Sequence, residues 1–464
     1  MKFWTAIGLI LLLSAIGLTY EIAAGRILAP YHGTSLLTWT TVIAVVLAGF
    51  SLGSAWGGAI ADRPRPAALA SARFALIVTA AMMAASPMLL GMVSSVARGT
   101  GGMVFSTIVA FFPASVGITL PTPLLTKLAL EARPGREGSA LGYALAAGSA
   151  GAIGGAVLAG FVTLPLIGAT LTFAGCGALA LACLTGLRGG EGTPTSAVIA
   201  AAGFVGVAGF AGTPVCDVES GLSCLRIARS DGQIRLISDG TVQASEWTGD
   251  RPSAALPYVR WIDTRLRADT GPEPSVLFIG GGGYTLPTRL LAAKPLARAT
   301  VVEIDPLITR VVRANLPRAS RTMARDADRL RIVHADGRVF LNETGDRFDA
   351  VVMDAFSSGA VPAHLVTREA FTRVRSLTDG PVYVNLIDRP DGPLARGVHA
   401  ILAELWPYVR TVQGPPSRRG RANVLMTASD HPLDAGGPTP DGYADVEVTS
   451  ARVFTDDRGW TGHR

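Results

Sequence analysis

Glycines and acidic residues recur in the C-terminal half of the chain at the points where apolar runs end. The stretch "VLFIGGGGYTLPTRLL" (Val276–Leu291) passes from a strand-like run into Gly280, Gly281 and Gly282 and then into a helical pattern. Missing side chains there let a ligand reach the backbone and the N-terminus of the following helix. Glu303 ends the next apolar run, about 20 residues on, the spacing at which an acid grips ribose hydroxyls. Asp336-Gly337 ends a third run, where a carboxylate could accept hydrogen bonds from an adenine amino group, and Asp354 ends a fourth, where it would face the reacting part of a ligand. A tight turn, a surface acid and two helix N-caps would explain these residues one at a time. Their succession at four strand ends points instead to a nucleotide.

The elements that must position them follow from the pattern of apolar runs. Val276–Gly280, Thr300–Asp305, Leu330–Asp336, Ala350–Ala355 and Val382–Ile387 read as strands separated mostly by helical patterns, which predicts a largely parallel, doubly wound sheet with its ligand site beyond the carboxyl ends of the strands. Upstream, "CLRIARSDGQIRLISDGTVQASEW" alternates apolar and polar residues around Asp231-Gly232 and Asp239-Gly240, the signature of a small β-meander.

The first two hundred or so residues are of another kind. The chain of 464 residues is 49% hydrophobic and only 16% charged, too apolar for an ordinary soluble protein, and the excess sits in the N-terminal half. A spanning helix needs about 20 apolar residues, and candidate spans near Phe3–Leu18, Leu36–Ile60, Ala67–Val93, Met103–Leu120, Leu141–Val162, Leu166–Leu187 and Ala197–Phe210 give about seven. The last is short and rich in Ala and Gly. Gly49, Gly53 and Gly57, and again Gly151 and Gly155, place small residues on one helix face and predict close packing. Glu21 and Arg26 flank the end of the first span, as a functional intramembrane charge or a structural ion pair. The fold class is thus a polytopic α-helical membrane domain of about seven spans, followed by a small β-meander and an α/β Rossmann-like domain. The corresponding boundaries are 1–212 for the bundle, 213–265 for the linker and β domain, and 266–464 for the last domain.

Lys2, Arg63, Arg65, Arg133, Arg136 and Arg188 fall on alternate loops, which the positive-inside rule sets in the cytoplasm, against Arg26 and Arg98 on the other side. An odd number of spans then puts the C-terminal half outside; a re-entrant last helix would put it inside. Cys216 and Cys224 bracket a short segment just after the last span, where a local disulfide would imply an oxidising compartment, whereas the supply of intracellular nucleotides argues for the cytoplasm. The balance leans outward, on an inner or plasma membrane if the source is bacterial. Cys176 and Cys183, inside an apolar run, read as small buried hydrophobes.

Several classes are set aside. A formal charge of +6 is carried largely by short inter-span loops, and the soluble half has no nucleic-acid reading motif. The six histidines are scattered without ligand spacing, so no metal is expected. The expected partners are a small nucleotide substrate and the lipid bilayer; a homo-oligomer is left open.

The succession "VLFIGGGGYT", "VVEIDP", "VHADGRVFL", "FDAVVMDAFSS" and "VPAHLVTREAF" resembles the spermidine synthase family of polyamine aminopropyltransferases, and "LISDGTVQAS" and "ALPYVRW" resemble that family's N-terminal β domain and the entry to its catalytic domain. With the polytopic half attached, the whole resembles the membrane-fused spermidine-synthase-like subgroup. The resemblance implies a methyltransferase-type Rossmann sheet behind a small β domain. It implies that Gln243 and Tyr258 contact the sulfonium nucleotide or its product, that Gly280, Gly281, Gly282 and Gly337 line its binding loops, that Glu303 holds the ribose and Asp336 the adenine, and that Asp354 is the catalytic aspartate. "VFTDDRGW" near the end resembles the fused members and carries no assigned role.

Three departures matter. Gly283 stands where the family has the acid of Gly-Gly-Gly-Asp-Gly, Ser357 where it has a second aspartate, and Tyr258-Val259-Arg260 where it often has Tyr-His-Glu or Tyr-Gln-Glu. A polyamine is a polycation, and each missing carboxylate removes a charge-assisted hydrogen bond of about 1.5–3 kcal/mol. The expectation is therefore an enzyme that binds S-adenosylmethionine or its decarboxylated form and cleaves the sulfur–propyl bond to release 5′-methylthioadenosine, lyase-like because the amine clamp is missing. The alternatives are a polyamine aminopropyltransferase, and a nucleotide-binding sensor or transporter without turnover. Arg260, replacing an acid, would suit the substrate carboxylate.

Overall fold

The computed structural model describes residues 1–32, 36–97, 99–187, 195–210, 216–219, 222–248, 256–355, 361–389, 392–417, 420–432, 442–449 and 451–459. The chain divides into two compact units, Met1–Cys224 and Leu225–Arg464.

The first unit is helical: α1 (Phe3–His32), α2 (Leu36–Ala61), α3 (Arg65–Val96), α4 (Gly99–Thr119), α5 (Pro121–Glu131), α6 (Glu137–Leu158), a π-helical turn (Ala159–Thr163), α7 (Leu164–Ala182) and α8 (Thr195–Phe210), with a two-residue strand β1 (Val218–Glu219). The glycine pattern does what it predicts. A Cβ at Gly53 would lie 2.1 Å from the Val116 carbonyl oxygen, and one at Gly151 would lie 2.1 Å from that of Leu11, so α2 meets α4, and α6 meets α1, backbone to backbone.

Five helical runs are long and apolar enough to cross a membrane among the described residues, with Thr195–Phe210 a shorter apolar helix. The expectation was about seven. The difference lies in that short helix and in the last long run, Glu137–Gly186, whose 50 residues would reach about 75 Å if straight, more than twice a hydrocarbon core of about 30 Å. It is broken at Gly168, whose φ of 76° is non-helical, so two successive apolar segments share one continuous helical assignment. Arg26 finds a carboxylate in Glu219, 3.8 Å away, rather than in the neighbouring Glu21 suggested by sequence proximity.

The second unit opens with β2 (Cys224–Ser230), β3 (Gln233–Ser238) and β4 (Thr241–Trp247), paired antiparallel as the expected meander. Its turns fall at Asp231-Gly232 and Asp239-Gly240, all four residues at positive φ, as two-residue hairpins require. After α9 (Pro257–Asp269) come β5 (Ser275–Ile279), α10 (Thr285–Ala293), β6 (Arg298–Val302), α11 (Pro306–Asn315), α12 (Pro317–Arg325), β7 (Leu330–Val333), α13 (Gly337–Glu343), β8 (Ala350–Met353), α14 (Arg368–Leu377), β9 (Val382–Asp388), α15 (Pro393–Leu405), β10 (Tyr408–Gln413), β11 (Ala422–Ser429) and β12 (Ala444–Asp445).

The sheet order is β12-β10-β11-β9-β8-β5-β6-β7. The five expected strands are the parallel core, β9-β8-β5-β6-β7. The largely parallel expectation needs correction at one edge, where β11 and β10 add antiparallel to β9 and β12 adds antiparallel to β10. Val276 and Phe278, which point to one face of β5, and Leu277 and Ile279, which point to the other, are all buried, so both faces are covered. Leu277 and Ile279 pack with Phe340 of α13, Phe371 of α14 and Val398 of α15.

Candidate active site

In this sheet β5 is the switch point: β6 and β7 extend from one side of it, β8 and β9 from the other. The residues picked out in the sequence stand beyond the carboxyl ends of four adjacent strands, in the spatial order Asp354 (β8), Gly280 (β5), Glu303 (β6), Asp336 (β7). Strands lie about 4.8 Å apart, so the row covers about 14 Å.

The glycine loop is built by conformation and by closeness. Gly280 has φ 101° and Gly282 φ 48°, both in the region that L side chains avoid. A Cβ on Gly280 would sit 2.5 Å from the Asp354 carbonyl oxygen, so the loop lies directly on the end of β8. Glu303 fixes the loop from the other side: Oε2 accepts from the Gly281 N–H (2.8 Å) and the Gly282 N–H (3.3 Å), and Oε1 from the Asp305 N–H (2.9 Å). Burial raises its pKa while these three N–H groups oppose the rise.

Asp354 is held at both oxygens. The Asn385 Nδ2 donates to Oδ1 at 2.7 Å and the Tyr258 hydroxyl donates to Oδ2 at 3.3 Å. Asn385 is itself oriented by Asn423, whose Nδ2 donates to its Oδ1 at 2.9 Å. Burial pushes the Asp354 carboxyl up to about 6, against the two donors. The Tyr258 phenol is driven well above its usual value, by burial first and then by the charge of Asp354. Asp336 caps α13, accepting from the Arg338 N–H (2.7 Å) and the Val339 N–H (3.3 Å) at Oδ1, while Oδ2 meets the His364 Nε2 at 3.0 Å. The N-cap reading of Asp336 is thus correct as local structure, and leaves its second oxygen facing a histidine. Gly337 is required by packing, since a Cβ there would meet the Ile279 Cγ2 at 2.7 Å.

Two further residues picked out in the sequence lie on the flanking elements β4 and α9. Gln243 is the extra residue of a bulge in β4: Leu236 pairs with Ala244 and Ile237 with Val242, which leaves Gln243 without a partner in the ladder. Arg260 is exposed on α9. Its charge opposes the burial that lifts the Tyr443 phenol to about 12, and Tyr443 in turn raises Tyr258, so Arg260 and Tyr443 belong to the surroundings of the Asp354 end.

Residues 266–385 match the spermine/spermidine synthase domain. Over these residues the chain carries a spermidine-synthase-type domain. It is 29% identical to the polyamine aminopropyltransferase of Vibrio vulnificus (strain CMCP6) over 125 residues, covering 26% of this chain and 40% of that protein. With the polyamine aminopropyltransferase of Ruegeria sp. (strain TM1040) it shares 32% identity over 192 residues, 37% of this chain and 66% of that one. The chain therefore spans less than two thirds of either relative. Among solved structures, a probable spermidine synthase from Corynebacterium glutamicum ATCC 13032 superposes with a TM-score of 0.43 at 22% identity, covering 50% of this chain and 91% of that one.

Against the family pattern, the structure gives the Gly283 departure a physical form. A Cβ at Gly283 would stand 2.0 Å from the Ala244 Cβ, so the meander packs into the space an acid's side chain would leave through. Ser357 lies outside the described residues. No group of three or more potential metal-ligating side chains occurs among the described residues. Sequence reasoning missed Asn385, His364 and Ala244. Asn385 alone left a signal, a polar residue inside the apolar run "VYVNLID".

Proposed function

We propose that the protein is a membrane-bound, spermidine-synthase-like enzyme that binds S-adenosylmethionine or its decarboxylated form and breaks the sulfur–propyl bond, releasing 5′-methylthioadenosine. The row of strand ends matches such a ligand in order and length: adenine at Asp336, ribose at Glu303 over Gly280–Gly281–Gly282, and the propyl arm at Asp354 and Tyr258, with Gln243 at the nucleotide. The observation that carries the lyase form is the closure of Gly283 by Ala244. The nucleotide acids are kept, while the loop position that would offer a carboxylate to an incoming amine is occupied by packing.

A sulfonium already has a neutral thioether as its leaving group, so the protein need only hold the reacting carbon against a nucleophile. In S-adenosylmethionine the arm's own carboxylate can form the new carbon–oxygen bond as the carbon–sulfur pair returns to sulfur. The products are a lactone carrying the ammonium and neutral 5′-methylthioadenosine, with no net proton transfer. Asp354, ionised, would hold the ammonium, and Arg260 the carboxylate before attack. In the alternative, an aminopropyltransferase, Asp354 takes the proton from an attacking amine; the match of residues 266–385 to the spermine/spermidine synthase domain favours this second reading. A sensor or transporter that binds without turnover is the third.

Purified full-length protein incubated with each nucleotide, with and without putrescine, separates the three. Release of 5′-methylthioadenosine without amine supports the lyase. Release only with amine replaces it by the transferase, and binding without release by the sensor. S-adenosylhomocysteine as product would remove all of them.

We also propose that the helical unit spans the membrane seven times and delivers the soluble half to the side opposite Lys2. The support is the disulfide joining Cys216 to Cys224 and the seat of Glu219 beside Arg26.

A further inference from the structure

The segment "VFTDDRGW" has no role in the chemistry above, yet its described part is bonded to the Asp336 end of the site. Asp456 accepts from the Arg338 Nη2 (2.7 Å) at Oδ2 and from the Thr367 hydroxyl (2.7 Å) at Oδ1. Its backbone N–H donates to the Glu369 Oε2 at 3.0 Å, and the Phe454 carbonyl accepts from the Arg368 N–H at 2.8 Å. Phe454 lies on α15 where Gly397 has no side chain, a Cβ there falling 2.3 Å from the ring. Thr455 and Arg458 close the turn between them.

Arg338 links this anchor to the site. Its backbone N–H is one of the two that Asp336 caps, and its Nη1 donates to the His364 carbonyl (3.1 Å) and to the Thr367 hydroxyl oxygen (3.1 Å). The short turn Ala363–Leu365 is thereby drawn against the end of β7, where the His364 ring meets the Asp336 Oδ2. The Arg338 guanidinium is mostly buried, while the Asp456 carboxylate is half exposed. Among the partners described for that guanidinium only Asp456 carries a charge; the others are a carbonyl and a hydroxyl.

We propose that residues 451–459 are a strap that positions the adenosine end of the site, with Asp456 acting on Arg338, and Arg338 on the His364 turn and on Asp336. The inference rests on the nucleotide reading above. Asp456 is a positioning residue: it touches neither substrate nor the reacting atoms. His364 is then a specificity-determining side chain, set beside the carboxylate assigned to the adenine amino group.

The test uses the full-length protein in detergent and 5′-methylthioadenosine as the calorimetric probe. Asp456→Asn is expected to weaken binding about tenfold, the order of one charge-assisted bond, and Asp456→Glu to recover most of it. Turnover at saturating nucleotide is expected to stay near that of the unmodified protein, so that KM moves and kcat does not. Arg338→Gln combined with Asp456→Asn is expected to cost little more than Arg338→Gln alone. Fully additive effects, or equal binding by Asp456→Asn and the unmodified protein, would overturn the strap. Should the unmodified protein fail to bind, the nucleotide reading fails, and hydrogen exchange still decides the strap: Asp456→Asn must speed exchange at the amides of 363–367 without ligand, and unchanged protection there would overturn it.

Discussion

Asp354 carries a charge in a place that resists charge. Its carboxyl titrates near 6 in the folded protein and near 4 in the free amino acid's usual range, so between those values the folded state binds the proton more tightly than the unfolded state does. Stability from this group therefore increases as pH falls through 6, and above 6 the ionised group is a cost to the fold. Asp354→Asn is expected to abolish 5′-methylthioadenosine release, by at least about 100-fold, while raising the melting point of the soluble half at pH 8 by about 2–4 °C, the equivalent of about 1 kcal/mol. That gain should shrink as pH falls through 6 and vanish only below about pH 4, where the carboxyl is neutral in the folded and unfolded states alike; a gain of the same size at pH 8 and below pH 4 would show that ionisation was not its source. Activity needs the anion in either chemistry, so the rate should climb through pH 6. Asn385→Ala removes the shorter of the two donors to the anion and is expected to move that midpoint upward, read from the acidic limb of the rate profile.

At the scale of elements, the meander and the glycine loop form one packed device. Gly283→Ala places a methyl 2.0 Å from the Ala244 Cβ and should destabilise the soluble half by about 1–3 kcal/mol, as overpacking does. Ala244→Gly in the same chain should return most of that loss in a circular dichroism melt, and strictly additive losses would show that the two do not meet. In the helical unit, Gly151→Ala drives a methyl into the Leu11 carbonyl, whereas Gly154, one helical turn further along but with nothing within 4 Å of its Cβ position, should accept alanine freely. The yield of monodisperse protein in detergent distinguishes them. The sequence made these elements legible in unequal measure. The strands β5 to β9 announced themselves because each is an apolar run ending in Gly, Glu or Asp, and the glycine spacing of α2 and α6 named their packing faces. The edge strands β10 to β12 did not, because "YVRTVQ" and "ANVLMTAS" carry no strand-end chemistry and their antiparallel pairing depends on β9, a contact distant in sequence. Asn385 showed only as a polar residue inside an apolar run and His364 not at all, until the fold brought them to Asp354 and Asp336 from a different strand and a turn. Gly283 was legible as a missing acid, whereas its cause, Ala244, sits about 40 residues earlier in another sheet.

For the whole molecule, the route of the chain through the helical unit decides where the chemistry takes place. One end of the bundle is marked by cations held on the N-terminus and inner loops: the Arg133 guanidinium stands 3.7 Å over the Phe3 ring, the Lys127 Nζ donates to the Ala61 carbonyl at 2.7 Å, and Arg73 reaches the Leu187 carbonyl at 3.5 Å. The other end holds Arg26 and the start of the straight part of α7, where the Ala169 N–H donates to the Glu219 Oε2 at 2.9 Å. Leu187 is at the first end and Glu219 at the second, so the chain between them must traverse the bundle. The helix α8 does so, with Gly209 beside Ala174 and Val205 beside Gly177, antiparallel to α7. Its 16 residues reach about 24 Å, close to a hydrocarbon core of about 30 Å. A re-entrant α8 would return Glu219 to the Lys2 end, where neither Arg26 nor Ala169 is present. If, as proposed, Lys2, Arg63, Arg65, Arg133 and Arg136 face the cytoplasm, the Cys216–Cys224 bridge would lie on the far side, where it would stay oxidised. A reporter enzyme active only outside the cytoplasm, fused to the C-terminus, is expected to be active, and the same reporter fused after residue 136 inactive. The reverse pattern would place the nucleotide site in the cytoplasm and remove the seventh crossing.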